Sequence, residues 1–520
     1  MPDPNADAPP DAPPDAAPDP GPNDHPVDAD GSGQPVRHRG AGRRGVPRTL
    51  TSIPATAGTD ARQAPRRRGV ELALLAFAVI LVITADVVVD ATFNDTVSSA
   101  VWTYGAGFAL IYAIAHVAVR RLAPYADPLI LPATALLNGL GLVLIRRLDL
   151  AEIADAQQAG QPIPSGDAEV QVLWTCIGLA LFVAVLLIVR DHRALARYAY
   201  TLAAAGLAFL ALPAILPGRF SEVNGAKIWI RVAGFSIQPG EFAKLALMVF
   251  FAAYLVQKRD VLSLASRRFM GVDLPRGRDL GPVLVAWGAS LLVLVGEKDL
   301  GTSLLFFGMF IVMIYIATER TSWLLIGLGL FLVGAYAAYF AFAHVQERVQ
   351  VWLRPFNYRD DQGYQIVQSL FGLGTGGLFG TGLGGGRPET VPFAKTDFII
   401  ATVGEELGLV GLVALLVIYT IIVTRGFRTA LTVRDSFGKL LASGLAFTLA
   451  FQVFIVVGGV TKLIPLTGLT TPFLSYGGSS LVANFALVAL LLRISDAARR
   501  PPANPPPKPP LAEAMTEVVR

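Results

Sequence analysis

The stretch AKTDFIIATVGEELGLVGLVALLVIYTIIV, Ala394 to Val423, is long and apolar enough to span a bilayer. A helix of about 20 residues crosses the hydrocarbon core. Yet this run opens on Asp397 and carries Glu405 and Glu406 further in. A carboxylate near hydrocarbon costs roughly 2.5–3.5 kcal/mol on insertion scales, so acids placed there are expected to have a function.

Composition extends the membrane reading to the whole chain. Its 520 residues are 53% hydrophobic and only 16% charged, with a mean hydropathy of +0.53. That leaves too little polar surface for a soluble protein of this size. The net charge of +4 says little, because in a membrane protein the distribution of Lys and Arg decides more than their sum. The single cysteine, Cys176, cannot form an internal disulfide and sits mid-run in LWTCIGLALF, where it reads as packing.

Apolar runs of bilayer length predict an all-α polytopic membrane protein of about twelve transmembrane helices. They fall near 70–90, 99–119, 128–146, 169–189, 198–216, 238–257, 280–296, 300–318, 322–343, 398–424, 438–459 and 478–494. Residues 1–68 are a different polymer, Pro/Asp/Ala-rich and then basic (RHRGAGRRGVPR, RRR). They are expected to be a disordered cytoplasmic tail, too poor in large apolar groups to repay ordering. Residues 496–520 read as a Pro-rich tail. Arg120 and Arg121, the loops RDHRALAR, QKRDVLSLASRRFMGVDLPRGRD, ATERTS and RGFRTALTVRDSFGK, and the C-terminal tail all fall on the side of the basic N-terminus. That side is expected to be cytoplasmic. IRRLDL, after the third run, is the exception.

The opposite side carries one large loop, residues 344–397, and an ordered loop of that length is usually functional. It mixes Arg348, Arg354, Arg359 and Lys395 with Asp360, Asp361 and Glu389, around the glycine run GLGTGGLFGTGLGGG. The glycines allow sharp turns or close backbone approach. They lack a Walker ending and follow no strand, so nucleotide binding is not expected. No Cys/His metal spacing is present. Two further constellations face the same side. In IQPGEFAKL, Pro239 suits a helix start, and Glu241 and Lys244 lie three apart on one helix face. In EKDLGTSLL, Glu297, Lys298 and Asp299 interrupt two apolar runs at a tight turn.

The segments GAKIWI, IQPGEFAKL, EKDLGTSLL, GYQIVQSL, TDFIIATVGEELG and PLTGLTTPFLSYGGSSL, in this order, resemble the SEDS family of shape, elongation, division and sporulation proteins, the RodA/FtsW polymerases of peptidoglycan. The resemblance covers residues 125–495, a ten-helix core, and looks closest to actinobacterial RodA. Residues 69–124, two extra N-terminal helices, lie outside it.

The resemblance implies an extracytoplasmic glycosyltransferase in the plasma membrane, both termini cytoplasmic, that polymerises lipid II for cell elongation and shape. The 4-hydroxyl of an acceptor GlcNAc displaces the lipid diphosphate from a donor MurNAc. A sugar hydroxyl needs a base in reach, and the departing diphosphate needs cations or oriented N–H donors. The family's essential aspartate matches Asp397, the expected catalytic base. Lys227, Arg231, Glu241, Lys244, Asp299, Arg348, Lys395, Ser475 and Ser479 are the expected substrate-binding residues. This chain reads Ile228-Trp229 where many relatives have Arg-Trp, so Lys227 or Arg231 stands in for that arginine. It reads Glu297-Lys298 where many have Gln-Pro, so only Asp299 is carried over there. Glu405, about 12 Å deeper than Asp397 and about 80° round an unbroken helix, and Glu406 near the opposite face cannot share one sugar with Asp397. They are expected to partner polar groups on neighbouring helices, with Lys244 a candidate.

No dedicated cofactor or metal site is expected, with a divalent cation, magnesium or manganese, as a conceivable bridge between carboxylate and diphosphate. Expected partners are lipid II, the growing glycan strand and a class B penicillin-binding protein in an elongation or division complex, with no nucleic acid. The rival readings are a lipid II flippase and a scaffold of the wall-synthesis complex. A flippase calls for charges near the midplane of several helices and at both mouths, whereas the polar density here lies mostly on one side.

Overall fold

The computed structural model describes residues 68–501 apart from 95, 224–225, 233–234, 264–266, 270–271, 275–276 and 297–298. Of the tails predicted in 1–68 and 496–520, residues 1–67 and 502–520 lie outside the described residues, as do Glu297 and Lys298, whereas Arg68 opens the first helix and residues 496–499 continue the last, so both tails are shorter than expected.

The chain folds into a helical bundle. Its first half comprises α1 (Arg68–Asn94), α2 (Ser99–Leu122), α3 (Ile130–Gln158), α4 (Asp167–Ile188), α5 (Ala199–Ile215), the single turn α6 (Gly218–Ser221), α7 (Pro239–Ser263) and α8 (Gly277–Gly296). The second half comprises α9 (Leu300–Thr318), α10 (Ser322–Ala341), α11 (Ala343–Leu353), α12 (Tyr364–Gly376), α13 (Ile399–Glu406), α14 (Gly408–Thr432), α15 (Ser436–Val460) and α16 (Gly478–Arg499). Small antiparallel hairpins interrupt the loops: β1 (Glu222–Val223) with β2 (Ala226–Lys227), β3 (Ile230–Val232) with β4 (Phe235–Ile237), and β5 (Arg267–Phe269) with β6 (Val272–Leu274).

Among the described residues, 11 helices are long and apolar enough to cross a membrane. The remaining predicted run, 280–296, is also helical, as α8. Burial sorts the spans. In α16 the apolar window is 89% buried, in α10 only 6%, so α16 is the axis of the bundle and α10 presents its leucines outward. Small residues let helices approach: a Cβ at Gly178 of α4 would lie 2.4 Å from the Phe485 ring of α16, the kind of contact that drives helix association in lipid.

Two sequence expectations are corrected. The run 398–424 is two helices. α13 ends at Glu406, Gly408 adopts φ +67°, and a separate span, α14, runs on to Thr432. The carbonyls freed at the break accept hydrogen bonds from the glycine-rich loop: Thr381 N–H to Glu405 O and Gly382 N–H to Glu406 O, both at 3.0 Å. Gly380 and Gly408 are required here, because a Cβ on Gly380 would lie 2.1 Å from Glu406 O and one on Gly408 2.3 Å from Gly380 N. The glycine run thus packs against a broken helix.

The second correction concerns Lys244 as the candidate partner of the acids, which do meet polar groups of other segments. Glu406 pairs with Arg147 of α3, which also binds Glu389 at 2.6 Å and Gly386 O at 2.6 Å. Glu405 accepts the Arg387 N–H at 2.7 Å. Lys244 partners neither; it pairs with Glu241 and donates to Gln452 Oε1 at 2.9 Å. The other arginine of IRRLDL, Arg146, binds Asp86 at 2.7 Å and Asp90, both on α1. Both arginines of the exceptional loop are therefore consumed in internal ion pairs, and α3 continues past the predicted end at 146 to Gln158.

Candidate active site

The segment 393–398, just before α13, is held from three sides. Lys395 Nζ lies among Asp149 (2.7 Å), Glu152 (2.6 Å) and Asp167 (3.0 Å). Asp149 also accepts the Ala168 N–H at 2.8 Å, tying the end of α3 to the start of α4. The Lys395 carbonyl accepts the Tyr476 N–H at 2.7 Å, and the Thr396 carbonyl accepts the Ser475 hydroxyl at 2.6 Å. Burial works against the charge on Lys395, but its hydrogen bonds to three carboxylates outweigh it and raise its pKa. Lys395 and Ser475 thus hold the backbone on which Asp397 stands.

Asp397 is half-buried and lines a cavity of about 1100 Å³. Burial pushes its carboxyl up to about 6; Arg348 opposes the rise and Asp299 adds to it. Gly468, at φ +76°, passes close over the carboxylate, where an added Cβ would sit 3.6 Å from Oδ2. Arg348 comes from α11 and donates through Nη1 to the carbonyls of Leu466 (3.0 Å) and Thr467 (3.2 Å). It therefore anchors the segment that covers Asp397 while balancing two acids. The N-terminal turn of α16, Gly478 to Ser480, forms another part of the wall and has no side-chain cap. The positive end of the axial helix dipole lies there. Trp174, Trp229, Trp352, Phe393 and Tyr476 line the rest with Gln238, Gln362 and Gln365, a mixture of aromatic faces and amides suited to a sugar.

Of the residues expected to form the site, Asp397, Arg348 and Ser479 are in this wall. Ser479 Oγ accepts the Gln238 N–H at 2.9 Å. The others lie outside the lining. Lys244 and Glu241 are buried as a pair. Asp299 caps α9, accepting the Thr302 N–H at 2.9 Å, and burial raises its pKa. Ser475 and Lys395 are turned to the scaffold just described. Arg231 is exposed and donates to Glu222 O, and Lys227 is half-buried on β2, beside Ile228 and Trp229, which do line the cavity.

Sequence reasoning missed Lys462 and Trp352. Trp352 Nε1 donates to the Lys462 carbonyl at 3.1 Å, and both line the cavity. The available signal was a lone cation in VTKLIP, which reads as an ordinary helix end. Among the described residues no cluster of three or more His, Cys, Asp or Glu is arranged to hold a metal ion.

The molecule is thus a multi-span helical bundle with a carboxylate-bearing, aromatic-lined cavity at one end. The chain belongs to the cell cycle protein family of FtsW, RodA and SpoVE, which its residues 127–500 match. It is 57% identical over 456 residues to the peptidoglycan glycosyltransferase RodA of Mycobacterium tuberculosis (strain ATCC 25618 / H37Rv), covering 88% of this chain and 96% of that one. It is 38% identical over 293 residues to the stage V sporulation protein E of Bacillus subtilis (strain 168), covering 55% and 76%. Among solved structures, a chain from work on polymerization and crosslinking by a peptidoglycan synthase complex is 28% identical, covering 76% of this chain and 97% of its own, at a TM-score of 0.48. Thermus thermophilus rod shape determining protein RodA is 25% identical at a TM-score of 0.41, with coverages of 76% and 96%.

Proposed function

We propose that this chain is a peptidoglycan glycosyltransferase that joins lipid II units into glycan strands for cell elongation and shape. The observation that carries the reading is the Asp397 carboxylate. It has a pKa of about 6 and stands on the wall of a sugar-sized cavity, within a family whose near relatives are peptidoglycan glycosyltransferases. Asp397 takes the proton from the acceptor 4-hydroxyl as the oxygen attacks the anomeric carbon of the donor. A base with a pKa near the working pH combines availability with driving force. The bond from that carbon to the diphosphate oxygen breaks, and its electron pair leaves with the lipid diphosphate. The uncapped start of α16 and Arg348 supply positive potential where this charge develops.

The cavity is extracytoplasmic in this reading. Support comes from the opposite end of the bundle, which carries Arg120, Arg121, Arg193, Arg428, Arg434 and Lys439. The partner is a class B penicillin-binding protein, a transpeptidase that cross-links the new strand. In purified form with fluorescent lipid II, the chain is expected to make polymer without any added transferase. Asp397→Asn is expected to lose 10²–10⁴-fold in rate while remaining folded. Polymer at near-normal rate from the Asn variant would remove Asp397 from this role.

A further inference from the structure

Lys462 is the cavity cation that the scaffold leaves uncommitted. Among the described residues, the basic side chains in the wall are Arg348 and Lys462. Arg348 already holds two backbone carbonyls and balances Asp397 and Asp299. The other lysines at this end of the bundle whose contacts are described, Lys395 and Lys244, are bound by carboxylates. Among the described residues the Lys462 ammonium has no ion-pair or hydrogen-bond partner, although its backbone is held firmly. Its N–H donates to Gly459 O at 3.2 Å, its carbonyl accepts from Trp352 Nε1 at 3.1 Å, and the next N–H, that of Leu463, reaches Gly458 O at 2.7 Å. Moreover, Lys462 has φ +62° in the position just past the end of α15. A left-handed residue there is usually glycine, because a Cβ is disfavoured in that conformation. A lysine in that place carries a conformational cost with no ion pair among the described residues to offset it, and it lines the cavity.

We infer that Lys462 binds the diphosphate of the donor lipid and neutralises it as it leaves, with Trp352 fixing the backbone from which the ammonium projects. The inference rests on the glycosyltransferase reading. It assigns the leaving-group side of the same reaction: the anomeric carbon to oxygen bond breaks, the electron pair goes to the diphosphate oxygen, and Lys462 stays protonated throughout while Asp397 takes the acceptor proton.

A bland alternative is that Lys462 only complements the negative end of the α15 dipole. The two differ in what Lys462→Gly does. Glycine relieves the left-handed strain, so the variant is expected to melt at or above the parent temperature, yet to polymerise 10- to 100-fold more slowly. Lys462→Met is expected to share the rate loss, and Lys462→Arg to recover most of it.

The full-length protein in detergent is assayed in two ways: polymerisation of fluorescent lipid II, and equilibrium binding of undecaprenyl diphosphate, with undecaprenol as the control. Binding of the diphosphate is expected to weaken at least tenfold in Lys462→Met and Lys462→Gly, and binding of the alcohol to be unchanged. Parent-like polymerisation and binding in both variants would overturn the inference and leave the polymerase reading intact. A parent protein that binds the diphosphate through Lys462 but makes no polymer would instead sink the polymerase reading alone. Lowered melting with unchanged binding would assign Lys462 to the dipole.

Discussion

Asp397 is two residues from Lys395, yet the two side chains answer to different surroundings. Lys395 is turned into a nest of three carboxylates, whereas Asp397 faces the cavity with its carboxyl raised to about 6 from an ordinary 3.8. Two pH effects of opposite sense follow. As a base, Asp397 acts only when ionised, so the polymerisation rate is expected to fall about tenfold per pH unit below about 6. For stability the sign reverses. The folded state holds this proton more tightly than the unfolded chain does, so the contribution of Asp397 is greatest below about pH 3.8 and declines as pH rises through 6. Asp397→Asn is therefore expected to melt no lower than the parent at pH 7–8 while losing activity. A rate profile whose acid limb sits near pH 4 would contradict the environment described for this carboxylate. Asp397 was singled out by the resemblance of TDF to the family motif. Its pKa was not readable there, because Arg348 and Asp299 come from segments 49 and 98 residues away in the chain.

At the scale of elements, the decisive join is between α3 and the break from α13 to α14. Arg147, with its side chain 1% exposed, holds Glu406, Glu389 and the Gly386 carbonyl together. Removing one partner of a buried ion pair leaves an uncompensated charge, at a cost of about 3–5 kcal/mol. Arg147→Met is expected to lower the melting temperature markedly in detergent, and adding Glu406→Gln to recover part of the loss. Melting of the single variant at the parent temperature would show that the network contributes nothing. In the sequence, Glu405 and Glu406 were recognisable as costly acids in need of partners. Their identity was hidden, because IRRLDL is 259 residues from Glu406 and reads locally as a cytoplasmic-type basic loop on the wrong side. The helix break was hidden for a related reason: GEELG is compatible with a continuous helix until a second chain segment, here the loop around Gly380, is present to take the freed carbonyls.

For the molecule as a whole, α1 and α2 act as a brace that reaches the site end of the bundle. Asp86 and Asp90 of α1 take Arg146, next to the Arg147 that holds the glycine loop, and Thr92 Oγ1 donates to the Leu383 carbonyl of that loop at 3.3 Å. Leu75, Val82 and Val89 of α1 are buried. A chain beginning at residue 124 would leave Arg146 without either acid and uncover this face. It is expected to melt lower and to show faster backbone hydrogen exchange around residues 377–390. Unchanged exchange there would confine the two helices to a role remote from the site.

By itself, the sequence determined the class of the protein and the order of its long apolar spans, because a hydrocarbon solvent demands long apolar runs with satisfied backbone groups, and that demand is local. Ordered motifs also singled out Asp397, the acid proposed as the base. The tertiary structure alone decided which charges are paired within the scaffold and which line the cavity. Lys244, Lys395 and Ser475 were expected to bind substrate, and the structure gives their side chains protein partners that the sequence does not display. Whether a lysine meets a carboxylate or an open cavity depends on segments hundreds of residues apart. Lys462, inconspicuous in VTKLIP, acquires its meaning only where α11 and α15 meet.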